Sequence, residues 1–516
     1  MKTLSKIKET RKRSKDSGIP KTREPSSGVI KNPRLSVGTL LSKLKVLLFK
    51  PSYLWVILVF AFLTRLYDIG SLGISAVELK NVDRVFLMSN PANFFNQDVS
   101  TNLYYFLQNI WGRFFGFSLT NMRIFSVFLG IFGLYIFFKF TEEWFNRRLA
   151  YIAAFLLSIS SYYIFISRAI SHEILYFSLV IFAFHTLTLA YRQKRKLYFV
   201  LSGLLFGIAF YASAITFTLA ILLLISLIYF YRKNSLFFKS FIKEKILALS
   251  SGIIVAIPYL YVNIRNPNIF LSHFTLKPSL ILYNINLFFS SLLFSAPRNY
   301  LYTLSTDRIF DPFVLLTFLA GLTYACLRIK RRKFYFIISW LAILTLIIFF
   351  EKDFTLASFI YILPIIFILS ARIQTFVLEK WFKTFPFNKF ARITMVLGIG
   401  FMFSLALTYN YQKVFIAWQK YPERQYVYNT KVASMSFGNN PIYLYKTGLT
   451  EQALESILKN GGNNKLIEID SLKKIENPDK FILLTSPERL FEVKSKMKNK
   501  NLNSTYGADL ALIKGE

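Results

Sequence analysis

The feature that most constrains this chain is a series of long apolar runs that recur between residues 53 and 411. A helix of about 20 apolar residues matches the hydrocarbon thickness of a bilayer. Backbone groups in lipid must find their hydrogen bonds within the protein, so only helices and closed barrels span a membrane, and runs of this length are too long for barrel strands. The sequence therefore predicts an all-α polytopic membrane protein.

The apolar runs divide into about eleven predicted transmembrane helices of 15 to 20 residues. They are predicted at residues 53–70, 121–140, 149–167, 173–190, 197–211, 214–231, 246–264, 312–328, 334–350, 355–371 and 393–411. With the N-terminus inside, the short inner connections hold 22 Lys and Arg, whereas the outer connections hold 9. Basic residues favour the cytoplasmic side, so we predict an N-in, C-out topology in the cell membrane.

The basic residues also bear on the choice of partners. The formal net charge is +36, a value that would suit nucleic-acid binding. These residues lie mainly at the ends of spans and in residues 1–50, which hold 14 Lys and Arg and three acids. The pattern predicts a disordered basic cytoplasmic tail that lies against anionic membrane lipids, or that only sets the topology, and no nucleic-acid partner.

Residues 51–415 form the predicted transmembrane domain, with two long external loops at 71–120 and 265–311. Each loop holds an aromatic amphipathic segment suited to the membrane interface, at Asn102–Trp111 and at Tyr283–Phe294. Long ordered external loops favour an enzyme that works at the outer face over a simple channel.

The composition changes after about residue 420, where Phe and Leu become rarer and Lys, Asn and Glu more frequent. Residues 420–516 are predicted to form a small extracytoplasmic α/β domain. Its strands are expected at Ile442–Tyr445, Lys465–Asp470, Phe481–Thr485 and Asp509–Ile513, and its helices at Thr450–Lys459 and Ser486–Lys498.

Ionisable residues at the outer ends of spans are the candidates for function. Glu78 follows the first span and would act as a base or a metal ligand, or it is an ordinary solvated loop acid. Glu173 opens the fourth span and is the second candidate acid, although it could instead only stabilise its helix N-terminus. The candidates for binding substrate or phosphate are Arg168, His172, Arg265 and Arg298.

Several residue types restrict the chemistry. The chain has one cysteine, Cys326, so an intrachain disulfide is excluded. Its three histidines are far apart in sequence, and no histidine-rich metal site is predicted. Gly203-Leu-Leu-Phe-Gly207 is a pattern of small residues that is typical of a helix-packing face.

A set of short motifs follows the order found in one known superfamily. After the first span the chain reads Gly73-Ile-Ser-Ala-Val77-Glu78, where that superfamily has a glycine-containing turn and then Asp-Glu. Next come Asn102-Leu-Tyr-Tyr105, Phe115-Gly116, Arg123, Ser167-Arg168, Gly203 to Tyr211, and Tyr361-Ile-Leu-Pro364. In this order the chain resembles the GT-C superfamily of membrane glycosyltransferases, in particular protein O-mannosyltransferases and lipid A aminoarabinose transferases.

The resemblance implies a polyprenyl-phosphate-linked sugar as donor. In the family a carboxylate of the first loop deprotonates the acceptor hydroxyl, which attacks the anomeric carbon with inversion while the lipid phosphate leaves. Some members also use a divalent metal. We therefore expect a membrane glycosyltransferase with Glu78 as base, acting on a lipid, protein or glycan acceptor at the outer face.

The chain departs from the family pattern at three places. The expected Asp falls on Val77, the His-Pro before the interfacial helix appears as Ser100-Thr101, and the Arg before the late Tyr is absent from Ser358 to Ile360. Two other functions therefore remain open. One is a lipid-linked-sugar transporter, which would carry charged residues within its spans, where few are found. The other is a non-catalytic scaffold, which Val77 favours.

Overall fold

The computed structural model describes residues 53–70, 73–96, 99–216, 219–220, 242–296, 307–352, 354–420, 442–445, 466–469, 481–485, 493, 502–506 and 511–515. The predicted tail at 1–50, most of the predicted span at 214–231, and Arg298 lie outside these residues. The two helices expected after residue 450 also lie outside them, apart from Val493.

Helices dominate the part of the chain that the structure describes. In chain order they are α1 (Tyr53–Leu66), α2 (Ala76–Leu87), α3 (Asn93–Asn96), α4 (Val99–Phe115), α5 (Leu119–Trp144), α6 (Arg147–Ile159), α7 (Ser161–Arg168), α8 (Glu173–Gln193), α9 (Lys196–Ala209), α10 (Ile242–Arg265), α11 (Pro267–Leu271), α12 (Pro278–Leu293), α13 (Pro312–Leu327), α14 (Arg332–Phe350), a 3-10 helix (Leu356–Tyr361), α15 (Leu363–Thr384), α16 (Lys389–Tyr411), a π-helix (Gln412–Ala417) and α17 (Trp418–Lys420).

Many of these helices have the length and composition of membrane spans. Within the described ranges, five are long and apolar enough to cross a bilayer, and the pair α6 and α7, bent by 64°, makes a sixth if it counts as one span. Each predicted span except 214–231 coincides with a described helix, although several of these helices are short. The fold is thus a helical membrane bundle, and the number of eleven spans stays a prediction.

The expected packing face at Gly203 and Gly207 is confirmed. Helix α9 packs against α10 there, and a Cβ atom built on Gly203 would lie 1.9 Å from the carbonyl oxygen of Ala248. On Gly207 it would lie 2.6 Å from the carbonyl oxygen of Gly252. The missing side chains let the two backbones approach closely, which is how apolar helices associate in lipid.

The C-terminal part contains a mixed five-stranded sheet. Its strands are β1 (Ile442–Tyr445), β2 (Leu466–Ile469), β3 (Phe481–Thr485), β4 (Leu502–Tyr506) and β5 (Ala511–Gly515), in the spatial order β2-β1-β3-β5-β4. Strand β1 runs parallel to β2 and β3, whereas β5 is antiparallel to β3 and β4. Residues 482–485 of β3 are all buried, so both faces of the sheet are covered at its centre.

The strands agree well with the sequence prediction, with one omission. Strands β1 and β3 have the expected bounds, β2 is one residue shorter at each end, and β5 begins two residues later than predicted. Strand β4 was missed because Leu502-Asn-Ser-Thr-Tyr506 is mostly polar. It lies at an edge of the sheet, where a strand needs less apolar surface. The position of this sheet outside the membrane stays a prediction.

Candidate active site

The site lies at the end of the bundle where α1 ends and α5 and α8 begin, which we call the site end. Helix α2 begins there with a capping box, a reciprocal pair of bonds between Ser75 and Glu78. The Ser75 Oγ accepts the Glu78 amide N–H at 3.3 Å, and the Ser75 amide donates to Glu78 Oε2 at 3.4 Å. This box places the Glu78 carboxylate at the helix N-terminus, where a negative charge is stabilised.

The Glu78 carboxylate is bound on both oxygens by Arg123 of α5. Arg123 Nε donates to Oε1 at 3.0 Å, and Nη2 donates to Oε2 at 2.7 Å. Arg123 also donates to the carbonyl oxygens of Ile69 at 3.2 Å and Gly73 at 2.6 Å. Glu78 accepts one further bond at 3.2 Å, from the Ile170 amide. We call this arrangement the Glu78–Arg123 clamp; it joins α2, α5 and the segment that follows α7.

The clamp changes the interpretation of Glu78. Both Glu78 and Arg123 are almost fully buried, with 2% and 1% of their surfaces exposed. A carboxylate has about four acceptor positions, and the bonds from Arg123, Ile170 and Ser75 occupy them. An acid in this environment has no open position for the proton of an acceptor. The geometry therefore favours a structural role for Glu78 over the role of base that we expected from the sequence.

The neighbouring residue has the opposite environment. Val77 is 44% exposed, although it adjoins the buried Glu78 in the first turn of α2. Successive helix residues point about 100° apart, so the clamp that buries position 78 leaves position 77 open. The carboxylate that the family pattern expects at position 77 would thus be accessible, and this chain has an isopropyl group there.

Glu173 is an incompletely buried acid three residues after Ile170, whose amide binds the Glu78–Arg123 clamp. It lies in the first turn of α8, and its side chain is 14% exposed. Ser171 Oγ donates a hydrogen bond to its carboxylate, and His172 Nδ1 lies 3.5 Å from Oε2. The ring of His172 faces that of Tyr105, with 6.3 Å between centroids. The structure thus brings the predicted residues Glu173 and His172 together.

Arg168 ends helix α7 and is held from two sides. Its Nη2 donates to the carbonyl oxygen of Tyr67 at 2.9 Å, and its guanidinium lies 5.9 Å from the centre of the Phe415 ring. Four residues lie between Arg168 and Glu173, and the amide of one of them, Ile170, donates to the Glu78–Arg123 clamp. The clamp therefore fixes the segment that carries Arg168, His172 and Glu173.

A pair of buried tyrosines adjoins this segment. Tyr176 of α8 and Tyr361 of the 3-10 helix pack edge to face, with ring centroids 4.6 Å apart. The Tyr361 hydroxyl lies 3.3 Å from Ser213 Oγ, and both Glu173 and Glu351 are within electrostatic reach of it. The Tyr176 hydroxyl has no hydrogen-bond partner among the described residues. Buried hydroxyls are normally satisfied, so this one suits a polar ligand or water.

Other sequence candidates lie elsewhere or outside the described ranges. Arg265 is exposed at the end of α10, and no described contact joins it to Glu173. Two further acids outside that set have structural partners, since Asp311 caps α13 and Asp307 forms an ion pair with Lys413 at 3.1 Å. The residues with described placement contain no group of three or more His, Cys, Asp or Glu that could hold a metal ion.

Sequence reasoning missed two residues that shape the site, Arg65 and Asn410. Arg65 is fully buried and donates to Ser167 Oγ at 2.8 Å, next to Arg168. Asn410 accepts the Ser161 amide N–H at 2.8 Å, at the start of α7. An arginine and an asparagine near the ends of two apolar spans are signals that could have been followed, because polar groups in such places need partners.

The comparisons with known proteins agree with this architecture. The model of the family described as dolichyl-phosphate-mannose-protein mannosyltransferase matches residues 100–262. The structure is similar to that of ArnT from Cupriavidus metallidurans bound to undecaprenyl phosphate, with a TM-score of 0.55 and 11% identity over 90% of this chain and 98% of that chain. The chain has the GT-C fold. The resemblance that the sequence motifs indicated is thereby confirmed.

The apo structure of the same ArnT gives a TM-score of 0.52 at 12% identity, covering 93% of this chain and 98% of that chain. The comparison with curated proteins gives no match. At these identities the likeness between this chain and ArnT concerns the fold, and the assignment of roles rests on the residues of the site itself.

Proposed function

We propose that the chain is a membrane glycosyltransferase that moves a sugar from a polyprenyl-phosphate donor to an acceptor hydroxyl. Its site end would face the outside of the cell membrane, as the distribution of Lys and Arg predicts. The donor class is suggested by the family match to dolichyl-phosphate-mannose-protein mannosyltransferase and by the undecaprenyl phosphate bound to ArnT. The observation that carries the proposal is the single segment 168–173, which presents a guanidinium and a carboxylate beside the Glu78–Arg123 clamp.

The proposed chemistry assigns Glu173 as the base. Its carboxylate would take the proton of the acceptor hydroxyl as the oxygen attacks the anomeric carbon. The bond between that carbon and the phosphate oxygen breaks, and the lipid phosphate leaves with its electron pair. Arg168 would stabilise the negative charge that develops on this phosphate. His172 would contact the substrate, and Glu78 would hold the segment in place through Ile170.

These steps use only side chains of this chain. Some GT-C enzymes use a divalent metal, but the described residues near Glu173 offer only His172 as a neighbouring ligand, at 3.5 Å. This set does not fit a metal site, so no step is assigned to one.

The experiment compares two isosteric variants in a strain that lacks the native gene. Envelope lipids and glycans are analysed by mass spectrometry for a modification that wild-type protein restores. We expect Glu173→Gln to lower that modification at least about 100-fold, the contribution of a general base. Glu379→Gln is the matched control, because it neutralises a half-exposed acid whose Oε2 lies 3.9 Å from Arg372 Nη1. This variant should restore the envelope modification fully.

If Glu173→Gln fully restores the envelope modification at the same level of membrane-inserted protein, Glu173 is not the base. If wild-type protein restores no modification and does not bind undecaprenyl phosphate in detergent, the glycosyltransferase proposal itself fails.

The second candidate function is a non-catalytic scaffold that binds a lipid-linked glycan. The open environment of Val77 favours it, because the accessible position at the start of α2 carries no ionisable group. A scaffold would still bind undecaprenyl phosphate, but Glu173→Gln would then leave the chemical composition of the envelope unchanged.

A further inference from the structure

Among the described residues, one pair of membrane helices is bent at a break whose backbone groups are bound by other helices. Helix α6 ends at Ile159, helix α7 begins at Ser161, and their axes differ by 64°. A helix end leaves backbone N–H and C=O groups without intrahelical partners. Ser160 stands at the capping position of α7, but its side chain makes no capping hydrogen bond. The partners at this break therefore come from other helices.

The N-terminus of α7, just after the break, is capped by Asn410, which lies in the last turn of α16. Its Oδ1 accepts the Ser161 amide N–H at 2.8 Å, across a sequence separation of 249 residues. Its Nδ2 donates to Asp311 Oδ2 at 3.0 Å and to the carbonyl oxygen of Ala406 at 2.8 Å. Asn410, Asp311 and Ser161 are all buried. Both atoms of the Asn410 amide thus have partners, and Asp311, which can only accept when ionised, sets the orientation of the amide.

The C-terminus of α6, just before the break, is capped by Arg65 of α1. Its guanidinium lies 3.3 and 3.4 Å from the Ser158 carbonyl oxygen through Nη1 and Nη2, and Nε donates to Ser167 Oγ. The guanidinium also lies 5.1 Å from the centre of the Tyr163 ring. Arg65 therefore contacts the end of α6 and two successive turns of α7.

The position of α7 decides where the proposed site residues lie. Arg168 is the last residue of α7, and Glu173 follows after a short connection whose Ile170 amide binds Glu78. On its other side α7 contacts the outer end of the last membrane helix, where Trp418 packs on Phe165 with ring centroids 4.6 Å apart. A shift at the N-terminus of α7 would be passed to Arg168, because an eight-residue helix moves as a rigid unit.

We propose that Asn410, oriented by Asp311, is a positioning residue that fixes the start of α7 and thereby the placement of Arg168 and Glu173. The importance of Asn410 for catalysis rests on the proposed function. Its role as the cap of α7 rests on the hydrogen bonds alone. It gives the last membrane helix a role in the site although it lies far from Arg168 in sequence.

The test exchanges the two polar groups. In Asn410→Asp, the new carboxylate still accepts the Ser161 amide but faces the carboxylate of Asp311 across a buried contact. The double variant Asn410→Asp with Asp311→Asn has a single buried carboxylate, as the wild type has. In this double variant the side-chain NH2 group at position 311 donates to the carboxylate at position 410. The side-chain oxygen at position 311 accepts the Val314 backbone N–H, as Asp311 does in the wild type at 2.9 Å.

Two measurements are made on full-length protein in lipid nanodiscs. Hydrogen–deuterium exchange reports the opening of peptides that cover residues 161–168, and titration with undecaprenyl phosphate reports binding near Arg168. We expect Asn410→Asp to speed exchange about fivefold to tenfold, the effect of one weakened buried hydrogen bond, and to weaken undecaprenyl phosphate binding. The double variant should recover most of both losses, although the bond to Ala406 is not restored.

Gln412→Glu is the matched control, because it adds the same charge by an isosteric exchange at an exposed polar position just past α16, and it should change neither reading. Unchanged exchange in Asn410→Asp overturns the proposal, as does a double variant that exchanges as fast as the single one. Faster exchange with unaltered lipid binding overturns the link to Arg168. If exchange follows the expectation while wild-type protein does not bind undecaprenyl phosphate, the capping role stands and the proposed donor is wrong.

Discussion

Arg123 holds both carboxylate oxygens of Glu78, at 3.0 and 2.7 Å, in a nearly solvent-free place. Buried ion pairs contribute little net stability over apolar groups of similar size, but loss of one partner leaves an uncompensated charge. The acid that the sequence suggested as a base is therefore better explained as the link that joins α2, α5 and the segment after α7.

The first prediction concerns this clamp. Arg123→Leu should destabilise the protein by about 3–5 kcal/mol, because Glu78 is left buried without its cation. Replacing both residues with leucine should cost less than Arg123→Leu alone, since no charge is then isolated. The order of thermal unfolding temperatures in detergent checks this. A wild-type unfolding temperature for Arg123→Leu would show that the clamp is not structural.

The second prediction concerns the open position beside the clamp. Val77→Asp should change stability by less than about 0.5 kcal/mol, because position 77 is exposed and an acid suits the first turn of α2. We expect it to raise the envelope modification in the complemented strain, whereas Val77→Asn, of the same size and uncharged, should not. Equal effects of the two variants would argue against a carboxylate at this position.

The third prediction concerns stability in acid. Burial raises the pKa of Asp307, but the ion pair with Lys413 and the hydrogen bond from Tyr409 outweigh it, so the pKa lies below its ordinary value. An acid with a lowered folded-state pKa contributes stability above its unfolded pKa, about 4, and loses it as the pH falls through the folded value.

Asp307→Asn should therefore unfold at a lower temperature than wild type at pH 7, and the difference should shrink between pH 4 and pH 2. The pKa of Asp311 is shifted in the opposite direction, because burial raises it. Asp311 is present in both proteins, so its effect on stability cancels in the comparison. A difference that is the same at pH 7 and pH 2 would contradict the ion-pair explanation.

The fourth prediction concerns helix packing. Gly203→Ala should destabilise the protein by about 1–3 kcal/mol, because its Cβ would meet the Ala248 carbonyl oxygen at 1.9 Å. Gly398→Ala in α16 is the control, since no atom lies within 4 Å of its Cβ position, and it should stabilise the helix by about 0.5–1 kcal/mol. Thermal unfolding of the two variants should move in opposite directions.

The amino-acid sequence by itself determined the class of this protein. Long apolar runs form helices in lipid because the backbone must satisfy its own hydrogen bonds there, and the described helices fall where those runs are. The strands at Ile442–Tyr445 and Phe481–Thr485, the packing face at Gly203 and the closeness of His172 to Glu173 also followed from local patterns. These features depend on residues that are near one another in sequence, so periodicity and composition reveal them.

Only the tertiary structure decided which acid is enclosed and which is open. Glu78 is buried because Arg123 and Ile170, 45 and 92 residues away, bind it. The start of α7 at Ser161 is capped by Asn410, 249 residues away. A sequence shows that a carboxylate follows a span, but its partners are set by how distant helices pack. Burial and hydrogen bonding then determine whether the acid holds the fold together or remains accessible to a substrate.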